Sequence, residues 1–221
     1  MRLVHRFRQI FHGLTQRPGV LIMFHGVGQQ TRMQNNHLHF LCCLGNTQDA
    51  SFQLVAGRLV REINREWLMP WEATRPKIDS SIPLPNFYQM VLQHRREGKE
   101  ARTISLGIWL RTGKQERFIG QITLGGIVFG AMRGAYIGYW IDQSFANRGY
   151  ITRAVKMVTE FGFAKLALHR IEISMRPENE ASKKVAEKAG YKFEGIRTNY
   201  LHIDGAWRDH LCFVKENPAI Q

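Results

Sequence analysis

The stretch DQSFANRGYITRAV, Asp142 to Val155, follows an apolar run, GAYIGYWI (Gly134 to Ile141), and opens a segment with apolar residues at helical spacing, ITRAVKMVTEFGFAKLAL. Strand-like text thus meets helix-like text through a turn that holds Asn147, Arg148 and Gly149. The first N–H groups of a helix have no partners inside it and carry partial positive charge. Gly149 lets the turn bring its backbone close to a ligand, and Arg148 adds a full positive charge. Together these parts suit a pyrophosphate. The same parts also build ordinary strand-to-helix turns, so the turn alone leaves both readings open. A nucleotide P-loop is excluded, because its Gly-Lys-Ser/Thr ending is absent here.

Working outward, the totals describe a folded chain. At 221 residues, with 44% hydrophobic and 11% aromatic residues, it can bury a core and lacks a disordered composition. No segment approaches the roughly 18–20 uninterrupted apolar residues of a membrane helix. VLIMFHGV near the start is far too short. Cys42, Cys43 and Cys212 form neither a disulfide framework nor a metal knuckle, which fits a reducing cytosol. The scattered histidines lack metal-ligand spacing, so no metal is expected. A net charge of +13 favours anionic partners: nucleotides, phosphate-bearing coenzymes or a ribosome surface.

Residues 1–48 hold five arginines and no acid, leaving 26 Lys and Arg against 18 Asp and Glu downstream. Leu3, Phe7, Ile10, Phe11 and Leu14 recur at helical spacing among Arg2, Arg6 and Arg8, until Arg17-Pro18-Gly19 ends the pattern. Residues 1–37 therefore read as a basic N-terminal extension: a targeting peptide, a membrane-surface helix, or a segment disordered or foreign to the domain. The domain is expected over 38–215, followed by a short tail, 216–221.

Within it, LHFLCCLGNTQDA reads as a short strand and turn, and SFQLVAGRLVREINREWL as a helix ending near Met69-Pro70. A connector with Pro70, Pro76, Pro83 and Pro85 leads to a second helix, NFYQMVLQHRREGKEAR. Its basic end, HRREGKEAR, is a solvated helix end or a contact for ribosomal RNA. TISLGIWL and RFIGQITL read as strands joined by RTGKQE, and GAYIGYWI as a third. A helix over Thr152–Leu168, the strand RIEISM, and the helix ASKKVAEKAG stopped by Gly190 follow. YLHIDGAWRDHLCFV is a hairpin about Asp204-Gly205. The order is an α+β plan.

Against these residues, SFANRGYITRAV resembles the coenzyme-A loop of the GCN5-related N-acetyltransferases (GNAT). INREWLMPWEATRP, GAYIGYWI, LHRIEISMRPENEAS and NYLHIDGAWRDH resemble the RimJ/RimL branch, the ribosomal-protein-alanine N-acetyltransferases, in the right order from Leu38 to Val214. The resemblance implies a mixed, mostly antiparallel twisted sheet flanked by helices in three α/β/α layers. It implies transfer of acetyl from acetyl-CoA, as co-substrate, to the N-terminal α-amine of a ribosomal protein. The transfer would be direct, in a ternary complex, by a cytoplasmic monomer or homodimer in contact with the ribosome. Asn147, Arg148, Gly149, Tyr150, Ile151 and Thr152 would cradle the diphosphate. Backbone groups of Tyr139, Trp140 and Ile141 would hold the pantetheine arm and the acetyl carbonyl. The family's loop begins with Gln or Arg and ends with Gly or Ala, where this chain has Ala146 and Ile151. Ala146 matters little to a cradle of backbone N–H groups, and Ile151 is expected to crowd the turn slightly.

Asn179 and Ser182 match the family's Asn-x-x-Ser. The resemblance makes Asn179 a coenzyme contact and Ser182 the proton donor beside its sulfur, although both are also preferred capping residues. The tyrosine that many relatives carry in this helix is absent, since the segment reads Val185-Ala186-Glu187-Lys188. Tyr191 is expected in the core. An α-amine has a pKa near ~7.7–8.0 against ~10.4 for lysine, so it needs little help from a base. Glu72, in PWEATRP, is the candidate general base, or else a solvated connector residue. Trp67 and Trp71 either wall a peptide pocket or join the core; Asp209 pairs with Arg208 or supports the hairpin. Two other functions fit the same residues. One is acetylation of a small-molecule amine such as an antibiotic or polyamine; the basic charge argues against a polyamine or aminoglycoside pocket, which should be acidic. The other is a ribosome- or RNA-associated assembly factor whose transferase activity is secondary or lost.

Overall fold

A computed structural model of the protein describes residues 20–26, 29–32, 38–42, 56–76, 89, 92–93, 96–97, 100, 102–112 and 115–220. The expected amphipathic segment before Pro18, the turn at 113–114 and the connector prolines Pro83 and Pro85 lie outside the described residues. The strands are β1 (Val20–Gly26), β2 (Gln29–Arg32), β3 (Leu38–Cys42), β4 (Ile104–Thr112), β5 (Gln115–Val128), β6 (Gly134–Ile141), β7 (Arg170–Met175), β8 (Lys192–Ile203) and β9 (Ala206–Glu216). They form one sheet in the order β2-β1-β3-β4-β5-β6-β7-β9-β8. β4 to β9 make a six-strand open sheet, which β3, β1 and β2 extend beyond β4. Among the described strands only β1–β3 and β6–β7 pair parallel.

Helical residues are 56–63 (α1), Arg65–Leu68 (α2), Tyr150–Leu166 (α3) and Glu180–Lys188 (α4), with 3-10 turns at Met69–Trp71 and Gln143–Phe145. Residues 89, 92–93 and 96–97, in the expected second helix, are also helical. No helix among the described residues is long and apolar enough to cross a membrane.

Alternation on the strands sorts the two faces. Ala135 and Ile137 of β6 are buried with Ile122, Leu124, Ile171 and Ile173 against α3, whose Ile151, Ala154, Val155, Val158 and Phe161 supply the matching stripe. On the opposite face Trp109 and Phe118 are buried against Ala56 and Val60 of α1 and against Trp140. Helices therefore cover both faces, giving the three layers.

Most elements fall where the pattern places them, but several ends move. α3 begins at Tyr150 and stops at Leu166, because Ala167 turns left-handed at φ 50°. β5 runs past RFIGQITL through Gly125 and Gly126 to Val128, with a bulge opposite β6 between Gly125 and Val128. β1 and β2 stand within the segment read as an extension. The Asp204-Gly205 turn has positive φ at both residues, the geometry of a tight hairpin.

Candidate active site

The sheet opens between β6 and β7. These parallel strands pair only at Gly134↔Arg170, Ala135↔Ile171 and Tyr136↔Glu172. Beyond that point β6 still pairs with β5 as far as Ile141↔Gly120, and β7 with β9 as far as Met175↔Leu211. Ile137–Ile141 and Ile173–Met175 therefore diverge into a wedge whose inner edges have no strand partner. It lies at the carboxyl ends of the two parallel strands, where open sheets bind ligands. Gly120 sets β6 in place: a Cβ there would lie 2.4 Å from the carbonyl oxygen of Trp140.

At the end of β6, Asp142 caps the short turn by accepting from Ser144 N at 3.0 Å. Asn147 and Gly149 then adopt left-handed backbones, φ 59° and 79°. No side chain caps α3, and its first internal bond is Arg153 N to Gly149 O at 3.1 Å. The N–H groups of Tyr150, Ile151 and Thr152 thus have no acceptor among the described residues. The guanidinium groups of Arg148 and Arg117 both lie over the Phe145 ring, 5.4 and 4.8 Å from its centroid. Free amides, a helix N-terminus and Arg148 converge on one exposed turn, beside Arg117, which is ion-paired with Asp142 at 3.6 Å; this is a site for an anion. Ile151 is buried in the core, so it does not crowd the turn.

Across the wedge, α4 begins at its N-cap Asn179, whose Oδ1 accepts from Ser182 N at 3.0 Å. The Tyr139 hydroxyl reaches from β6 to donate to Ser182 O at 3.4 Å. The parallel pair thus splays beside an uncapped helix start. A family model described as an acetyltransferase (GNAT) domain matches residues 48–192. The chain is a member of the GNAT acetyltransferase family.

This acetyltransferase is 40% identical over 107 residues to the probable N-acetyltransferase YjcK of Bacillus subtilis, covering 48% of the chain and 59% of that relative. It is 29% identical to the [ribosomal protein uS5]-alanine N-acetyltransferase of Escherichia coli, over 70% of the chain and 78% of that enzyme. Among solved structures it resembles Mycobacterium smegmatis RimJ in complex with CoA-disulfide, with a TM-score of 0.67 and 31% identity. That match covers 83% of this chain and 82% of that one.

The opposite side of the wedge carries the remaining expected residues. Trp67 Nε1 donates to Ile141 O at 3.2 Å, and Asn64 Oδ1 accepts from Gln143 N at 2.8 Å, so the α1–α2 segment grips the end of β6. Arg176, just past β7, donates to Pro70 O at 2.9 Å and lies over the Trp71 ring. Residues 67–71 therefore span the mouth of the wedge. Glu72 is ion-paired with Arg61, whose guanidinium covers Trp140. One oxygen of its carboxylate is thus held by the Arg61 guanidinium. The hairpin tip holds this connector: Asp204 N donates to Glu72 O at 3.1 Å, and Thr74 N to His202 O at 2.8 Å.

Burial pushes the Tyr139 phenol up to about 12, against the weaker opposing bond to Ser182, so it stays protonated at neutral pH. Tyr191 is in the core, bonded to Thr159 at 2.6 Å. Asp209 supports the hairpin by accepting from Asn199 N at 2.8 Å. No group of three or more His, Cys, Asp or Glu able to hold a metal occurs among the described residues. Sequence reading missed Arg117, Arg176 and His210. Arg117 lies 31 positions before Arg148 and shows no local signal, whereas Arg176 stands within the motif MRPENEAS.

Proposed function

We propose that this GNAT acetyltransferase moves acetyl from acetyl-CoA to the N-terminal α-amine, alanine-type, of a ribosomal protein. The observation that carries the coenzyme reading is the uncapped start of α3 beside the splayed β6–β7 pair. The amides of Asn147 to Thr152, with Arg148 and Arg117, hold the diphosphate. The pantetheine arm runs into the wedge along the backbone of Tyr139, Trp140 and Ile141, which also holds the acetyl carbonyl. Asn179 spends Oδ1 on its helix cap and keeps Nδ2 for the coenzyme.

The acceptor enters under Trp67 and Trp71. Its free amine attacks the thioester carbon, the carbonyl oxygen gathers charge against the β6 backbone, and the C–S bond breaks. Ser182 supplies the proton for the departing thiolate. Transfer is direct, within a ternary complex. Likeness to the uS5-alanine enzyme and to RimJ supports the acceptor class, and the charge of +13 supports contact with a ribosome in the cytoplasm.

Mass spectrometry of ribosomal proteins from cells with and without the gene tests this reading. Loss of acetylation from one alanine N-terminus is expected. An unchanged set of N-termini removes the ribosomal acceptor and leaves coenzyme binding intact.

A further inference from the structure

The sheet face that carries Trp140 also holds a buried imidazole. His210 precedes Leu211, which pairs with Met175, the last residue of β7. It shares its face with Cys212, whose Sγ lies 3.4 Å from Ser174 Oγ, while Leu211 and Phe213 point to the α3 side. Only 3% of His210 is exposed. Its Nδ1 is 3.0 Å from Arg208 O, an atom that only accepts, so Nδ1 carries the proton. Nε2 is left as a lone pair with no partner among the described residues. It is not among the unpartnered atoms sealed from solvent, as Trp140 Nε1 is. Arg176 neighbours it and also holds Pro70 and Trp71, so the imidazole lies beside the mouth of the wedge.

We propose that His210 Nε2 takes the proton that the acceptor ammonium loses before it attacks the thioester. This rests on the acyl-transfer reading above, and it gives to His210 the role expected of Glu72, whose carboxylate is held by Arg61. The ammonium N–H bond breaks to leave a free amine and an imidazolium, directly or across one water. The C–N bond forms, the C–S bond breaks, and the second amine proton balances the one that the thiolate acquires. The imidazolium returns its proton to solvent.

The charges around His210 suit this. Burial holds its pKa below the ordinary 6.5, the Arg208 carbonyl pulls it up, Arg176 pushes it down, and Asp209 and Glu178 pull it up. From β8, Arg197 is its cross-strand partner and the Tyr200 ring packs edge-on at 5.7 Å. Burial leads, so the imidazole is neutral at pH 7 and ready to accept.

The test compares wild type with His210→Asn and His210→Gln in pH profiles of kcat/KM, on an alanine-starting peptide and on spermidine. Asn keeps a donor for Arg208 O, and neither variant can take a proton. With the peptide, the wild-type rate should fall only on the acid side of 6.5. In the variants the limb should move to the amine's own pKa, near ~8, with a loss of roughly tenfold at pH 7. Acetyl-CoA affinity should stay unchanged. An unmoved limb in folded variants overturns the proposal, and so does joint loss of activity and acetyl-CoA binding, which marks a structural role. Transfer to spermidine alone overturns the ribosomal acceptor, and the same comparison on spermidine, with its own higher amine pKa, then decides His210. No transfer to either amine overturns both.

Discussion

Arg176 Nη1 donates to the carbonyl oxygen of Pro70 at 2.9 Å, joining residues 106 positions apart. Trp67 makes the matching contact on the other strand, to Ile141 O. One short connector is thereby tied to both lips of the wedge, which fixes its width and one wall of its mouth. The hairpin turn at Asp204 holds the same connector from outside.

Arg176→Ala removes a charge-assisted bond, of a kind that contributes about 1.5–3 kcal/mol, together with the stack on Trp71. Melting temperature should fall, and KM for the acceptor should rise several-fold with the acetyl-CoA Kd unchanged. Steady-state kinetics beside calorimetric binding separates the two. Equal loss of both would mean that the bridge supports the whole site.

Arg148→Glu puts a carboxylate where the free amides of α3 attract an anion. Acetyl-CoA should bind roughly tenfold or more weakly, and the deficit should shrink as salt screens the repulsion. Titration calorimetry at two ionic strengths reads this directly. Unaltered affinity would move the diphosphate away from this turn.

Gly120→Ala sets a Cβ 2.4 Å from Trp140 O, backbone against backbone, with no side chain free to yield. Urea unfolding should show a loss of about 1–3 kcal/mol, the range for overpacking. Gly138→Ala, on the same β6 but with open space around it, should be close to neutral. Acetyl-CoA affinity should fall for the first and hold for the second.

Stability should decline as pH falls below about 6.5. His210 has a folded pKa below that ordinary value, so the unfolded chain binds its proton first and gains on acidification. Glu194, held below its ordinary 4.5 by Arg170, adds its loss only at more acid pH. Urea midpoints measured from pH 8 to 5 should slope downward in wild type. In His210→Asn the slope in that window should flatten.

The elements were largely legible because alternation and helical spacing are local. GAYIGYWI and RIEISM are strands at the residues their patterns mark, and Asp204-Gly205 makes the hairpin turn. The turn before α3 was legible too, since Gly149 and the helix start that follows it are consecutive. Glu72 was visible as a carboxylate, but its partner Arg61 stands a full helical segment earlier. His210 looked like one of nine scattered histidines, because its tautomer is set by Arg208 O and its burial by the strands around it.

Order along the chain by itself determined the strands from β4 onward, the helices and the family, because each depends on residues within a few positions of one another. Only tertiary structure decided that β6 and β7 part after three residue pairs, and that Trp67 and Arg176 brace the gap. Register and burial belong to the whole sheet. They leave no mark on any short stretch of sequence, and they determine which polar side chains keep a free lone pair.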